Sequence, residues 1–250
     1  MSTSIVAVSY LNTTPFIYGI QEKLSKSEFE LSIEHPAKCA SILINNEADI
    51  GLVPVVVLPQ LIEYVTISDY CIACDGAVDT VCLYSEVPLP QIDLIYLDYQ
   101  SKTSVNLIKI LAEKLWKISP KWKNADADYI QEIGGNSAGL VIGDRAFELT
   151  GKYKYMYDLG AEWKKLTGLP FVFACWVAKK AVPEHSITQF NQALRYGVEN
   201  KKNAITNLKS VPNVGLDNYL ENRILFEMDA EKNGAIDLFL NYLATPIINR

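Results

Sequence analysis

Two periodicities alternate along the chain. Short and mostly apolar runs, such as residues 5–8 and 50–53, are typical of strands that are buried on both faces of a sheet. Between these runs lie segments in which apolar residues recur at helical spacing, most clearly over residues 101–116. Since strand and helix signals follow each other in this order, we predict an α/β fold with parallel-rich sheets covered by helices.

The predicted elements cover most of the chain. Strands are predicted at residues 4–8, 29–34, 50–53, 70–73, 80–85, 92–97, 140–142 and 171–177. Helices are predicted at residues 15–24, 37–45, 56–62, 101–116, 145–149, 160–166, 186–202, 216–225 and 230–243. Proline is favoured in the first turn of a helix, and Pro15 and Pro36 support two of these helix starts.

The strand pattern also predicts the domain organisation. The strand signal at residues 80–85 follows the strand at residues 70–73 with no helix between them. The strand signal at residues 171–177 lies where the pattern changes to helices alone. We predict that these are crossover strands between two lobes. The first lobe is then discontinuous, with residues 1–82 and 178–250, and residues 83–177 form an inserted second lobe. A ligand cleft is expected between the two lobes.

Composition and charge exclude several classes of function. The chain is 49% hydrophobic and 21% charged, which is an ordinary globular balance. Its net charge is −6 and its basic residues form no long run, so neither a nucleic acid nor an anionic membrane surface is an expected partner. No apolar run reaches the roughly 18 residues that a membrane span needs. No export signal precedes the first strand, and we expect a cytoplasmic protein.

The cysteines and histidines do not predict a metal or redox site. Cys71 and Cys74 have C-x-x-C spacing, but they lie in a strand-like stretch, where residues three apart point to opposite faces. The only histidines, His35 and His185, are far apart in the sequence. We therefore expect no metal and predict buried free thiols at Cys71 and Cys74 and at the remaining cysteines, Cys39, Cys82 and Cys175.

Polar residues follow three of the predicted strands. In open α/β sheets, ligands bind at the carboxyl ends of strands, beside the N-termini of helices. The candidate ligand-binding residues are Ser9, Tyr10 and Asn12 after the first strand, Ser101, Thr103 and Ser104 before the long helix, and Gly143 and Asp144 after the strand at 140–142. Hydroxyls and backbone N–H groups in such positions bind carboxylates well. Ser101 and Asp144 have an alternative reading as simple helix N-caps.

Several of these segments resemble one family of enzymes. Residues 9–15 read S-Y-L-N-T-T-P, which is similar to the S-Y-L-N-T-x-P opening of the chorismate dehydratases of the futalosine route to menaquinone. Residues 101–105 read S-K-T-S-V where that family has S-R-T-S-V, so Lys102 replaces the usual arginine. Further similar segments are residues 35–39, 48–54, 142–146, 158–163 and 167–176.

The resemblance implies both a fold and a reaction. The fold is that of the type II periplasmic binding proteins, which agrees with two lobes and a cleft. The reaction is the loss of water from chorismate, giving 3-[(1-carboxyvinyl)oxy]benzoate, without a metal or an organic cofactor. Because the ring becomes aromatic, the protein mainly has to position the substrate and stabilise developing charge.

The resemblance also implies roles for individual residues. Asn12 is expected to be the polar group on the reacting hydroxyl or on a carboxylate, with Ser9 and Tyr10 lining the same loop. Thr103 and Ser104 are expected to bind one carboxylate of the substrate.

Two further residues are expected on the first crossover strand, facing the cleft. Ser85 is expected to be catalytic, and Thr80, where the family often has serine, to bind the substrate. Because no residue is a convincing protein base, our hypothesis is that the enolpyruvyl carboxylate of chorismate takes the C3 proton itself.

Three other functions are compatible with the predicted fold. A non-catalytic solute-binding protein would normally carry an export signal or a lipid-anchored cysteine. The sister enzyme of the same route, which cyclises a futalosine derivative, shares the fold but is less similar in the segments at residues 9–13 and 167–174. The effector domain of a regulator would be accompanied by a DNA-binding helix-turn-helix, for which this chain has no room.

Overall fold

The computed structural model describes residues 2–206 and 215–244. The strands are β1 (Thr3–Val8), β2 (Phe29–Glu34), β3 (Ile50–Pro54), β4 (Tyr64–Cys74), β5 (Val81–Ser85), β6 (Leu94–Leu97), β7 (Lys121–Asn124), β8 (Ser137–Ile142), β9 (Tyr155–Asp158), β10 (Phe171–Lys179) and β11 (Leu225–Glu227). The α-helices are α1 (Thr14–Lys23), α2 (Pro36–Ile44), α3 (Lys102–Leu111), α4 (Leu159–Thr167), α5 (Glu184–Glu199), α6 (Lys201–Thr206), α7 (Leu216–Asn222) and α8 (Ala230–Ala244). The alternation of strands and helices confirms the predicted α/β class.

The chain forms two compact units. The first contains Met1–Ala73 and Val172–Asp229, and the second contains Cys74–Phe171 and Ala230–Arg250. The chain passes from one unit to the other at the end of β4, at the start of β10 and directly before α8. These positions differ from the predicted boundaries after residues 82 and 177.

The first unit contains one mixed sheet, with the strand order β11-β4-β10-β3-β1-β2. β1 is parallel to β2 and to β3, and β10 is antiparallel to β3. The carboxyl ends of β1, β2 and β3 therefore lie at one edge of this sheet, where the polar residues after β1 begin.

Helix α1 is packed very closely against α5 in this unit. A Cβ atom added to Gly19 would overlap the backbone of Ala193, and one added to Gly197 would overlap the carbonyl of Pro15. Glycine at both positions thus allows the two helix backbones to touch. On another side of α1, the Phe16 ring packs edge-on against Trp176, with the centroids 5.8 Å apart. Together these contacts fix the start of α1, directly after the candidate segment at residues 9–12.

The second unit contains a sheet with the strand order β7-β6-β8-β5-β9. β6 is parallel to β7 and β8, whereas β5 is antiparallel to both of its neighbours, β8 and β9. The carboxyl ends of β6, β8 and β9 consequently share one edge of the sheet with the amino end of β5. We call this the carboxyl edge of the second sheet.

Two expectations about the second unit are wrong. β5 pairs along its whole length inside the second sheet, so residues 80–85 are not a crossover strand. The helix at the end of the chain, α8, belongs to the second unit and not to the first. Phe239 of α8 packs against Trp163 and Phe171, with ring centroids 6.1 and 5.2 Å apart, and this aromatic cluster fixes α8 there.

Three strands were not predicted from the sequence: β7, β9 and β11. β7 reads Lys-Trp-Lys-Asn and is exposed at all four positions, because it is an edge strand. Such a strand carries no apolar alternation that a sequence pattern could detect. β11 lies where the helix at residues 216–225 was expected to end, and α7 stops at Asn222 instead.

Candidate functional site

The segment after β1 is held in place mainly by its backbone. The N–H of Ser9 donates to the carbonyl of Glu34 at 2.9 Å, and the N–H of Thr13 donates to the carbonyl of Tyr10 at 2.9 Å. One turn of 3-10 helix then leads into α1. Leu11 and Thr13 are buried, whereas Ser9 is exposed and Tyr10 and Asn12 are half-buried.

The orientation of the Asn12 amide follows from its neighbour. Its Oδ1 accepts a hydrogen bond from the Thr13 hydroxyl at 3.2 Å. Because this bond occupies the carbonyl side of the amide, the Nδ2 group is the donor that Asn12 has for a ligand. The structure thus brings Ser9, Tyr10 and Asn12 together at the carboxyl end of β1.

Helix α3 begins at the carboxyl edge of the second sheet with a capped N-terminus. The Ser101 hydroxyl oxygen accepts the N–H of Ser104 at 2.9 Å, which is the N-cap geometry that the sequence left as an alternative. Thr103 and Ser104 are both buried. A helix of this length favours an anion at its N-terminus through its dipole and its first N–H groups.

A buried carboxylate that the sequence analysis did not single out lies next to this helix start. Asp98 follows β6, and its Oδ1 accepts the N–H of Gln100 at 2.9 Å. Its Oδ2 accepts from Arg145 Nη2 at 2.7 Å, from the Tyr129 hydroxyl at 2.9 Å and from the N–H of Ile142 at 3.1 Å. Arg145 and Ile142 flank the candidate residues 143–144, so Asp98 connects the two polar segments of this edge.

These contacts change the protonation behaviour of the partners of Asp98. Burial acts to lower the pKa of Arg145, but the nearby Asp98 carboxylate outweighs it and holds that pKa above its ordinary value. Burial, followed by the charge of Asp98, raises the pKa of the Tyr129 hydroxyl. Arg145 is therefore charged and Tyr129 protonated at neutral pH.

Thr80 and Gly143 are brought together at the same edge. The N–H of Gly143 donates to the carbonyl of Thr80 at 2.8 Å, where the start of β5 meets the end of β8. Gly143 has a φ of 67°, a left-handed conformation that glycine adopts without strain. Asp144 is half-buried in the turn that follows, and Ile142, not Asp144, is the N-cap residue of that turn.

A second buried carboxylate, Asp158, fixes the loop that leads to Thr80. Its Oδ2 accepts the N–H groups of Val78 at 3.0 Å and of Asp79 at 2.7 Å. Its Oδ1 accepts the N–H of Ala161 at 3.1 Å and so caps α4. The only sequence signal for this role was the position of Asp158 directly before a helix.

Ser85 is separated from the other candidates. It lies at the opposite end of β5 from Thr80, about 16 Å away at the usual rise per residue of a strand. Its side chain is fully buried, its hydroxyl donates to the carbonyl of Val87 at 2.9 Å, and its oxygen accepts the N–H of Val87 at 3.1 Å. Ser85 and Thr80 are therefore not brought together, because the residues between them form an extended strand that spans the height of the sheet.

The cysteines are free and buried, as predicted. Burial raises the pKa of Cys39 and of Cys175 to about 12 and that of Cys74 well above its ordinary value. A thiol with such a pKa is not a nucleophile at neutral pH. Within residues 2–206 and 215–244, no group of three or more His, Cys, Asp or Glu side chains is arranged to hold a metal ion.

Comparisons with known proteins add a family and a fold. The model of a family described as menaquinone biosynthesis matches residues 3–245. A chorismate dehydratase of Thermus thermophilus is 26% identical over 166 residues, which are 59% of this chain and 60% of that protein. A chorismate dehydratase of Campylobacter jejuni is 31% identical over 97 residues, which are 38% of this chain and 44% of that protein. The matched part thus spans less than two thirds of the length of either relative.

Solved structures show the fold. A protein of Archaeoglobus fulgidus has a TM-score of 0.76 at 14% identity, with 97% of each chain covered. The alkanesulfonate-binding protein of Xanthomonas axonopodis pv. citri has a TM-score of 0.63 at 12% identity, with 98% of this chain and 94% of that chain covered. A Candida albicans protein, described as having the generic periplasmic binding protein fold, also has a TM-score of 0.63. The predicted fold of the periplasmic binding proteins is confirmed. Among the helices of the described residues, none has the length and apolar character of a membrane span.

Proposed function

This chain belongs to the menaquinone-biosynthesis family, and from that premise we propose that it is a chorismate dehydratase, a hydro-lyase that forms 3-[(1-carboxyvinyl)oxy]benzoate. The family match over residues 3–245 and the two chorismate dehydratases among its relatives support this proposal. The structural observation that carries it is the capped N-terminus of α3, with Thr103 and Ser104 buried beside the carboxyl end of β6, which suits a carboxylate of the substrate.

The proposed reaction needs no redox partner. The C3–H and C4–O bonds of chorismate break, a C3–C4 π bond forms, and the proton and the hydroxyl leave together as water. The six-membered ring becomes aromatic, which supplies much of the driving force. The protein then has to hold the substrate in a reactive conformation and to stabilise the charge on the leaving hydroxyl.

In the first unit, Asn12 is the proposed catalytic residue. Its Nδ2 group donates a hydrogen bond to the leaving C4 hydroxyl or to a carboxylate, and the Thr13 contact keeps the amide in that orientation. Ser9 and Tyr10 are proposed to line the same part of the site. A neutral donor suits this task because it stabilises negative charge on oxygen without having to lose a proton.

In the second unit, the proposed substrate-binding groups share the carboxyl edge of the sheet. Thr103 and Ser104, at the N-terminus of α3, bind a carboxylate with their hydroxyls and with the help of the helix dipole. Ser101 contributes mainly by capping that helix. Thr80 is proposed to accept from the substrate through its hydroxyl oxygen, since the hydroxyl proton is directed to the carbonyl of Val78 at 3.4 Å. Gly143 is proposed to shape the turn beside it, and the Asp144 carboxylate suits a hydroxyl of the substrate.

The base in this proposal is the substrate itself. The two buried carboxylates of the second unit, Asp98 and Asp158, each accept three or more hydrogen bonds from the protein, which leaves them poorly suited to take a proton from carbon. The enolpyruvyl carboxylate of chorismate is attached through oxygen to C3 and is a base of the right kind. Asp144 is the alternative base on the protein, so the substrate-assisted step has to be tested by removing its carboxylate.

The test is to mix the purified protein with chorismate and to follow the appearance of an aromatic product by absorbance and chromatography. We expect product with the wild type, a loss of at least about 100-fold in kcat with Asn12→Ala, and wild-type turnover with the matched control Asn136→Ala, which changes an exposed turn. Binding of chorismate without product would favour a non-catalytic binding protein. Turnover of a futalosine derivative alone would favour the sister cyclase.

A second variant tests the base. Asp144→Asn keeps the size of the side chain and removes its basicity. We expect this variant to retain turnover at a raised KM. Loss of turnover with chorismate binding and the fold intact would contradict the substrate-assisted step.

A further inference from the structure

The contact between Asp98 and Arg145 joins two polar segments that are distant in sequence. Arg145 follows β8, and 47 positions separate it from Asp98, which follows β6. The two side chains meet at 2.7 Å, and the Asp98 side chain is completely buried whereas that of Arg145 is 28% exposed. An ion pair of this kind contributes little to stability, because the loss of hydration offsets the attraction of the charges. The ion pair between Asp98 and Arg145 therefore calls for a role other than stabilising the fold.

Arg145 also holds the loop that leads into α3. Its Nη2 donates a second hydrogen bond, to Gln100 Oε1 at 3.2 Å. Its guanidinium carbon lies 5.3 Å from the centroid of the Tyr99 ring. The loop is thus held from both sides, because Asp98 accepts the N–H of Gln100 while Arg145 binds the Gln100 side chain.

We propose that Asp98 and Arg145 are a positioning pair, which locks the N-terminus of α3 onto the turn at Gly143–Asp144 and so sets the geometry of the carboxylate-binding edge. The proposal rests on the proposed function, because it assigns a purpose to that edge. Neither residue has to touch the substrate. Arg145 makes both hydrogen bonds through Nη2 while its guanidinium carbon lies 5.3 Å from the centre of the Tyr99 ring. A lysine ammonium is a compact point charge on a different stem and does not reproduce this combination of contacts.

Arg145→Lys is the informative variant, since it keeps the charge and removes the guanidinium whose Nη2 joins Asp98 to Gln100. We expect KM for chorismate to rise about tenfold while kcat stays within about threefold of the wild type, because ground-state binding of a carboxylate is weakened and the groups at the reacting carbon are unchanged. Gln100→Ala removes only one of the two hydrogen bonds of Nη2 and is expected to raise KM about threefold.

Lys179→Met is the matched control. Lys179 forms a partly buried ion pair with Asp49 at 3.4 Å, at the start of β3 and so at the amino edge of the first sheet. Its loss is expected to lower the thermal midpoint without changing KM. A rise in KM with Lys179→Met as large as that with Arg145→Lys would mean that KM follows stability, and it would overturn the proposal.

Hydrogen–deuterium exchange gives a readout that is independent of chorismate. We expect Arg145→Lys and Gln100→Ala to accelerate exchange at residues 98–104 relative to the wild type, and Lys179→Met to leave it unchanged. Unchanged exchange at residues 98–104 in Arg145→Lys would overturn the positioning role. If the wild type forms no product, the proposed function fails, and the exchange result still decides the positioning role.

Discussion

The carboxylate of Asp158 accepts the backbone N–H of Asp79 at 2.7 Å, and Asp79 has a left-handed backbone conformation with a φ of 65°. Such a conformation is unfavourable for a residue with a side chain and persists where the surrounding structure holds it. Thr80, a proposed substrate-binding residue, follows directly. One buried side chain therefore maintains the strained entry to β5.

Removal of this carboxylate is expected to destabilise the protein. Asp158→Ala would leave the N–H groups of Val78 and Asp79 without their acceptor and would remove the N-cap of α4, which together cost about 3 kcal/mol of the free energy of unfolding. Urea unfolding measures this loss. The control Asp75→Ala removes an exposed ion pair with Lys164 and is expected to cost less than about 1 kcal/mol. Equal losses in the two variants would contradict the role given to Asp158.

Three variants of Ser101 separate capping from charge. Ser101→Ala removes the N-cap of α3 and is expected to lower the free energy of unfolding by about 1 kcal/mol. Ser101→Asn and Ser101→Asp both keep a capping oxygen and are expected to preserve stability. Only Ser101→Asp adds a negative charge beside the proposed carboxylate site. It alone is therefore expected to raise KM for chorismate, by at least about tenfold, because the added charge repels the carboxylate of the substrate. If Ser101→Asn raises KM as much, the hydroxyl itself binds the substrate.

Thr80 and Ser85 are expected to behave differently, although both lie on or next to β5. Thr80→Val keeps the shape of the side chain but removes its hydroxyl. We expect kcat/KM to fall about tenfold or more, because this is roughly the effect of losing one hydrogen bond with the substrate. Ser85→Ala removes the hydrogen bonds with Val87 and is expected to cost about 1 kcal/mol of stability with kcat/KM within twofold of the wild type. Steady-state kinetics and urea unfolding on both variants provide the check. A folded but inactive Ser85→Ala protein would restore the catalytic role expected from the family resemblance.

The close approach of α1 and α5 predicts a severe effect of one methyl group. Gly197→Ala would place a Cβ on the carbonyl of Pro15, and since both contacting groups are backbone, we expect a loss of at least about 2 kcal/mol. Gly234→Ala is the control: it lies in α8 with open space around it and is expected to stabilise the protein by up to about 1 kcal/mol. Thermal unfolding compares the two. Equal midpoints would show that α1 and α5 can separate without cost.

Asp49 predicts a pH dependence of stability. Burial acts to raise its pKa, but hydrogen bonds from the N–H and hydroxyl of Ser4, with the charge of Lys179, outweigh burial and hold that pKa below its ordinary value. A lowered pKa in the folded state means that the stabilisation is present above the unfolded pKa of about 4 and is lost as pH falls through the folded value.

The measurement is the free energy of unfolding of the wild type and of Asp49→Asn between neutral and acid pH. We expect the wild type to be the more stable of the two at neutral pH and the difference to shrink as the pH falls below about 4. A difference that grows with acidification would reverse the sign of the argument.

Local patterns in the sequence were enough for part of this picture. Short apolar runs identified β1, β3 and β10, and helical spacing identified α3, because burial of a strand or of one helix face leaves a period in the sequence. The cap at Ser101 was visible for the same reason, since its partner, the N–H of Ser104, is only three residues away. The resemblance to a family added the substrate.

Only the tertiary structure decided which distant residues meet. Asp98 and Arg145 are 47 positions apart, and Phe239 joins Trp163 across most of the second half of the chain. No local period encodes such contacts, because they follow from strand order and from the path of the chain between two units. Thr80 shows the same division: its distance from Ser85 follows from the rise of the predicted strand alone, but its contact with Gly143, 63 positions away, depends on the antiparallel pairing of β5 with β8.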